Sequence, residues 1–242
     1  AGVQAYFLPR SMVKGAPGVF WAVDFAGNGT NATGNLLIYK GVWNSNSNDI
    51  IWSVNANLNP PLNTSAYGEW PVIGFDPTGQ LGWVAFVHDN GSVGYYSFTF
   101  YSTTNGGLSW TGPQQVNLNQ FTCLVSSIGG GGNQVTAHTR YDMSVDVNGN
   151  PHVLCMAGKN VSYAIDATAW HHMLDLTRSN NAWVIKDLGS ILSDVYYFTG
   201  SVTGANAALQ FSSPQCARSF DGTKIFFSWT ELFANAVQLH SW

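Results

Sequence analysis

Few side chains in this 242-residue sequence can do acid–base chemistry, and their scarcity makes each one informative. Only 9% of residues are charged, against ~25% in an ordinary soluble domain. The glutamates are Glu69 and Glu231, and the arginines are Arg10, Arg140, Arg178 and Arg218. Glu69, Arg140 and Asp142 stand close ahead of two apolar runs, Val72–Phe75 and Met143–Val147. Two carboxyl groups flanking a sugar bond suffice for glycoside hydrolysis, so Glu69 and Asp142 are the candidate pair, with Arg140 as a further polar contact. Tyr67 and Trp70, in the loop Asn63–Trp70, offer rings on which a sugar face can stack. The plainer reading is that Arg140 and Asp142 satisfy each other or nearby backbone.

Other candidate groups lead away from metals and cofactors. His171 and His172 are neighbours on an apolar run, where consecutive side chains point to opposite faces and do not share one ion. Asp146–Asn150 starts like a calcium loop, but Pro151 stands where glycine is needed and no later glutamate completes it, so a hairpin turn is expected. Cys123, Cys155 and Cys216 are too widely spaced for a zinc site and allow either one disulfide or three buried thiols. No metal and no cofactor is therefore expected. The nine basic residues are scattered and the formal net charge is −4, which excludes a phosphate-neutralising nucleic-acid surface. No apolar run approaches the ~18 residues of a membrane-spanning helix. Asn-x-Ser/Thr sequons at Asn28, Asn31, Asn63, Asn90 and Asn160 support secretion.

The elements that must position these residues recur along the chain. Four segments share a form in which an apolar strand ends near an Asp, a glycine turn follows, and a second apolar strand returns. They are Val19–Asp24 with Gly27, Val72–Asp76 with Gly79, Met143–Asp146 with Gly149, and Ala217–Asp221 with Gly222. Asp accepts backbone N–H bonds two residues on, and Gly takes the positive φ that a tight reversal needs. The returning strands are Gly82–Val87, Pro151–Met156, Lys224–Trp229 and, after an insertion in the first unit, Asn35–Tyr39. Third strands then lead to Trp52, Trp110 and Trp183 at packing positions. Serial four-stranded units, each unable to cover both faces alone, are the sequence form of a β-propeller. The chain is thus expected to be all-β, one region over residues 1–242 with about three and a half four-stranded antiparallel blades, part of a larger protein. A single sandwich or barrel is the alternative, and the repeated Asp/Gly hairpin favours the propeller.

The octet Thr103-Thr104-Asn105-Gly106-Gly107-Leu108-Ser109-Trp110 resembles the Asp-box of sialidase-like propellers, with Asn105 in place of the Asp. The resemblance implies a structural turn between a blade's third and fourth strands, in which Thr103, Asn105, Gly107, Ser109 and Trp110 hold the patterned positions. Sialidases also use an arginine triad, a Tyr–Glu pair and an acidic Asp. Here the early motif is reduced to Tyr6-Phe7-Leu8-Pro9 with no arginine before the proline, so no catalytic role is carried over.

These readings favour a non-catalytic, secreted or cell-surface bacterial module that binds glycan or another protein, or scaffolds. Tyr67, Glu69, Trp70, Arg140 and Asp142 are its candidate contacts. The alternatives are a glycoside hydrolase or lyase acting on extracellular polysaccharide, and a subunit of a secretion or surface assembly.

Overall fold

A computed structural model of the chain describes residues 11–27, 32–60, 69–89, 95–129, 134–161, 164–165, 171–191, 214–233 and 236–241. The first sheet contains Ser11–Lys14 (β1), Val19–Gly27 (β2), Ala32–Asn44 (β3) and Asp49–Leu58 (β4). The second contains Glu69–Phe75 (β5), Gly82–Asp89 (β6), Tyr96–Thr103 (β7) and Thr111–Val116 (β8). In the third, Val135–Val145 (β9) pairs Pro151–Val161 (β10), whose end also pairs the short Ala164–Ile165 (β11). His171–Ser179 (β12) and Ala182–Ile191 (β13) complete that sheet. The fourth has Gln215–Arg218 (β14), Ile225–Phe233 (β15) and Ala236–Ser241 (β16). Among the described residues no helix is long and apolar enough to cross a membrane.

Each sheet is an antiparallel meander, and the first strands touch in succession: β1 against β5, β5 against β9, β9 against β14. The sheets are therefore blades around an axis, about three and a half of them, forming a β-propeller. The core lies between blades, where a sheet face too apolar for water is covered by its neighbour. Val23, Phe25 and Ile38 of blade 1 meet Ile73, Phe75 and Phe86 of blade 2. Val87, Phe98 and Phe100 of blade 2 meet Tyr141, Met143 and Val153 of blade 3.

Two sequence expectations shift by a strand. Val19–Asp24 is the second strand of blade 1, since β1 precedes it and the hairpin is closed at Gly15–Gly18 by the Gly15 N–H to Val19 O bond of 3.0 Å. The four residues of β1 alternate half-buried with exposed and carry no continuous apolar run, so they do not read as an inner strand. Asn35–Tyr39 accordingly lies in the third strand, and Asp24 sits inside β2 opposite Leu37 rather than in a turn. Asp76 and Asp146 do head their hairpins: Asp76 Oδ1 accepts the Gln80 and Leu81 N–H groups at 2.9 and 2.8 Å, and Asp146 Oδ1 those of Asn148 and Asn150 at 2.9 and 2.7 Å. In the fourth hairpin that position is Ser219 rather than the expected Asp221: Ser219 Oγ accepts the Lys224 N–H at 3.0 Å, and Asp221, inside the turn, accepts the Thr223 N–H at 3.1 Å. The cysteines form no disulfide, nor are they three buried thiols, since Cys123 is exposed and Cys216 is half-buried.

Counting back from each first hairpin aligns the blades residue by residue. Trp21, Trp83, His152 and Phe226 share one position, opposite Val13, Gly74, Ser144 and Ala217 respectively. Trp21 stacks on Phe75 of the next blade with centroids 5.0 Å apart, and Trp83 meets Trp183 of its next blade at 5.8 Å. On the receiving side, Met12, Ile73 and Met143 are equivalent. Ile73 is 3% and Met143 6% exposed, whereas Met12 on the free face of blade 1 is 61% exposed and Phe226 on the free face of blade 4 is 50% exposed.

The first hairpins also pack on one another. Val147 N–H bonds Gly222 O at 3.0 Å, and a Cβ placed on Gly222 would lie 2.5 Å from Pro77 Cγ. Gly222 has φ +71°, so the turn and the contact both call for glycine.

Candidate functional site

The Asp-box-like octet forms the turn between β7 and β8. Asn105 Oδ1 accepts the Ser109 N–H at 3.0 Å and the Thr103 hydroxyl at 2.9 Å, and Thr103 Oγ1 accepts the Gly107 N–H at 3.0 Å. Trp110 then packs edge-on to Trp21 and Phe75, with centroids 6.4 and 6.0 Å away. Trp183 is likewise packed, 4.2 Å from Phe100, but Trp52 is 39% exposed on the outer strand of blade 1 and is not a core residue.

Of the candidate contacts, Tyr67 lies outside the described residues. Glu69 and Trp70 open β5, with Glu69 opposite Val87, and their side chains also lie outside the description. Arg140 and Asp142 lie within β9, which begins at Val135 rather than at Met143. Asp142 Oδ1 accepts the N–H of Met143 at 2.9 Å, and Oδ2 accepts the N–H of Cys216 in blade 4 at 2.9 Å. Burial pushes its carboxyl pKa up, and these two N–H donors partly oppose the rise. The same clasp joins blades 1 and 2, where Ser11, at the position of Asp142, accepts the Ile73 N–H at 3.2 Å. Between blades 2 and 3 that position is Val72, which cannot accept, and the Tyr141 hydroxyl accepts from Val87 N–H at 3.1 Å instead.

Just upstream, β9 departs from regular pairing. Cys155 faces Tyr141 but Ala157 faces Ala137, so His138, Thr139 and Arg140 bulge opposite the single residue Met156. Bulges re-aim side chains and are frequent beside functional sites. This one brings together His138, Arg140 and, from the start of β12, His171; both histidines are buried. The Arg140 N–H donates to His138 Nδ1 at 3.0 Å, so the ring accepts there and carries its proton on Nε2. Burial, then the charge of Arg140, then His171, lower the His138 pKa from 6.5 to about 3. The ring is thus a neutral imidazole beside a guanidinium. His138 was not singled out in the sequence, where its neighbours Thr136, Ala137, Thr139 and Arg140 form no apolar run that would mark an inner strand.

That shift makes His138 an acid liability. The unfolded chain takes up a proton near pH 6.5 while the folded chain does not until about pH 3, so stability falls as pH drops through this window. A His138→Gln variant is expected to show a flatter decline of denaturation midpoint between these limits; an unchanged slope would place the acid sensitivity elsewhere.

The second polar feature lies at the opposite ends of the strands, between blades 3 and 4. A cavity of about 340 Å³ there is lined by Asp146, Asn148, His152, Asp175, Lys186 and Thr223, over Ile225 and Phe227. His152 Nδ1 lies 3.0 and 3.2 Å from the Asp175 oxygens, and Nε2 lies 3.7 Å from Asp146 Oδ2. Burial depresses the His152 pKa, but the Asp175 bond and charge and the Asp146 carboxylate outweigh it, and the net direction is upward. The stability these pairs supply is complete below the ordinary 6.5 and is lost as pH rises through the raised value.

No protein-family model and no curated protein sequence matches the chain. Among solved structures, it resembles an exo-β-1,3-galactanase from Phanerochaete chrysosporium solved with galactose, at TM-score 0.52 and 14% identity over 96% of this chain and 46% of that one. It also resembles an ulvan lyase described as a new family of polysaccharide lyase, at TM-score 0.52 and 15% identity over 96% of this chain and 51% of that one. The chain spans about half the length of these two structures. At such identities the likeness is one of fold, and that fold is the β-propeller.

Proposed function

We propose that this chain is a secreted or cell-surface propeller module of sialidase-like kind that binds acidic polysaccharide at the end of the blades where the bulge of β9 lies. The observation that carries the reading is the bulge itself, which sets the cation Arg140 beside the neutral, buried His138 and His171. A guanidinium fits a uronate or sulfate group with two parallel N–H donors, and a neutral imidazole adds directional hydrogen bonding without repelling the cation. Two solved structures of similar fold are a galactanase and an ulvan lyase, which supports a carbohydrate as the ligand class.

The hydrolase version using Glu69 and Asp142 has less support, because backbone N–H groups of two blades occupy both oxygens of Asp142. A lyase version has less support as well, because the unprotonated nitrogen of His138, Nδ1, is taken by the Arg140 N–H and a ring held at a pKa of about 3 is a weak base.

The test is binding to polygalacturonate, alginate and ulvan by isothermal titration, with turnover followed by the ultraviolet absorbance of the unsaturated uronate. Arg140→Ala is expected to weaken binding at least about tenfold, the equivalent of losing ~1.4 kcal/mol from one charge-assisted contact. Equal binding by wild type and Arg140→Ala would remove the reading. Turnover abolished in His138→Gln with binding retained would establish the lyase version.

A further inference from the structure

The cavity between blades 3 and 4 exists because one register position changed its residue. Trp21 and Trp83 occupy that position in blades 1 and 2 and plug the neighbouring interfaces with buried indoles. In blade 3 it is His152, a smaller ring held by Asp175 and Asp146, and the space that an indole fills elsewhere is open over Ile225 and Phe227. Packed apolar side chains would stabilise such an interface at least as well as buried ions, so the exchange is not explained by stability.

Asp175 points to what the opening holds. Its residue is only 4% exposed, it lines the cavity, and among the described residues its two oxygens share the donor His152 Nδ1. A carboxylate has about four acceptor sites, so this group keeps acceptor capacity that a ligand entering the cavity can use. Lys186, opposite Asp175 across the β12–β13 ladder, brings an ammonium to the rim, and Asn148 and Thr223 bring an amide and a hydroxyl.

Charge narrows the ligand class. The lining sets two carboxylates, Asp146 and Asp175, beside the imidazole of His152 and the ammonium of Lys186, so it presents mixed donors and acceptors rather than one sign of charge. The site suits a neutral molecule that donates to a carboxylate, accepts from an ammonium and an amide, and lays an apolar edge on Ile225 and Phe227. A neutral pyranose has that pattern, and a cavity of about 340 Å³ has room for one. We propose that this inter-blade cavity is a binding site for one neutral sugar unit, separate from the β9 bulge and independent of its reading.

The experiment is a titration of the whole chain with methyl β-D-galactopyranoside, methyl β-D-glucopyranoside and methyl β-D-xylopyranoside, followed by NMR of the histidine ring protons. At least one glycoside is expected to move the His152 resonances saturably in the millimolar range and leave those of His138 in place. Lys186→Met, an exposed change on the rim, is expected to weaken that binding about tenfold or more, and Asp175→Asn to abolish it. Because Asp175→Asn removes a buried charge and can cost folding, Lys186→Met keeps the test decisive. Absence of a saturable His152 shift with all three sugars, or undiminished binding by Lys186→Met, would overturn the proposal. A response confined to His138 would do the same and would assign the sugar to the bulge.

Discussion

Replacing Trp21 by alanine is expected to lower the unfolding free energy by about 3–5 kcal/mol, the range for emptying a buried aromatic site. The upper part of the range is the better expectation, because the surroundings cannot collapse into the space. The indole is 1% exposed and stacks on Phe75, and Lys40 Nζ sits 5.6 Å above it. Backbone closes two further sides: a Cβ on Gly15 would lie 2.7 Å from its Nε1, and one on Gly107 would collide with Cη2. Phe226→Ala, the same register position on the free face of blade 4, is the internal comparison and is expected to cost about 1 kcal/mol, since half the ring already meets water. Urea denaturation of both variants checks this; similar losses would show that register does not set burial as argued.

The second large effect is expected for Asp142→Ala, at about 2–5 kcal/mol. The loss leaves two backbone donors, Met143 N–H and Cys216 N–H, without their acceptor, and each such group costs ~1–3 kcal/mol when buried. It should also be local. Hydrogen exchange at Cys216 and along β14 is expected to accelerate more than exchange in blade 2, since the clasp is a direct bond between β14 and β9. Ser11→Ala removes the equivalent acceptor between blades 1 and 2 and is expected to cost about 1 kcal/mol, as a neutral partner. If Asp142→Asn instead lost glycan turnover with its stability intact, the carboxylate would belong to the chemistry first suggested by its residue type.

The architecture was legible where local chemistry repeats. Asp76 and Asp146 head their hairpins because carboxylate-to-backbone bonding and positive-φ glycine are local facts, whereas in blade 4 Ser219 holds that position and Asp221 sits two residues into the turn. Gly82–Val87 reads as a strand because both its faces are covered. Blade 1 was misread by one strand because Ser11–Lys14 is exposed on alternate residues and Asp24 imitates a turn residue while accepting its own neighbour's N–H at 2.8 Å inside β2. The candidate sites were less legible, since they depend on long-range register. The bulge that joins His138 to Arg140 follows from the pairing of β9 with β10, and the equivalence of His152 with Trp21 and Trp83 emerges only once each hairpin is counted from its end.

The contact of Gly222 with Pro77 bears on how the molecule comes apart. In a linear stack each unit touches only its neighbours, and units can peel from the end one at a time. Gly222 belongs to blade 4 and Pro77 to blade 2, so the curvature of the array adds a coupling that skips a blade. Detaching blade 4 therefore uncovers surface on two blades at once, and its local unfolding carries a larger penalty than its interface with blade 3 alone would set.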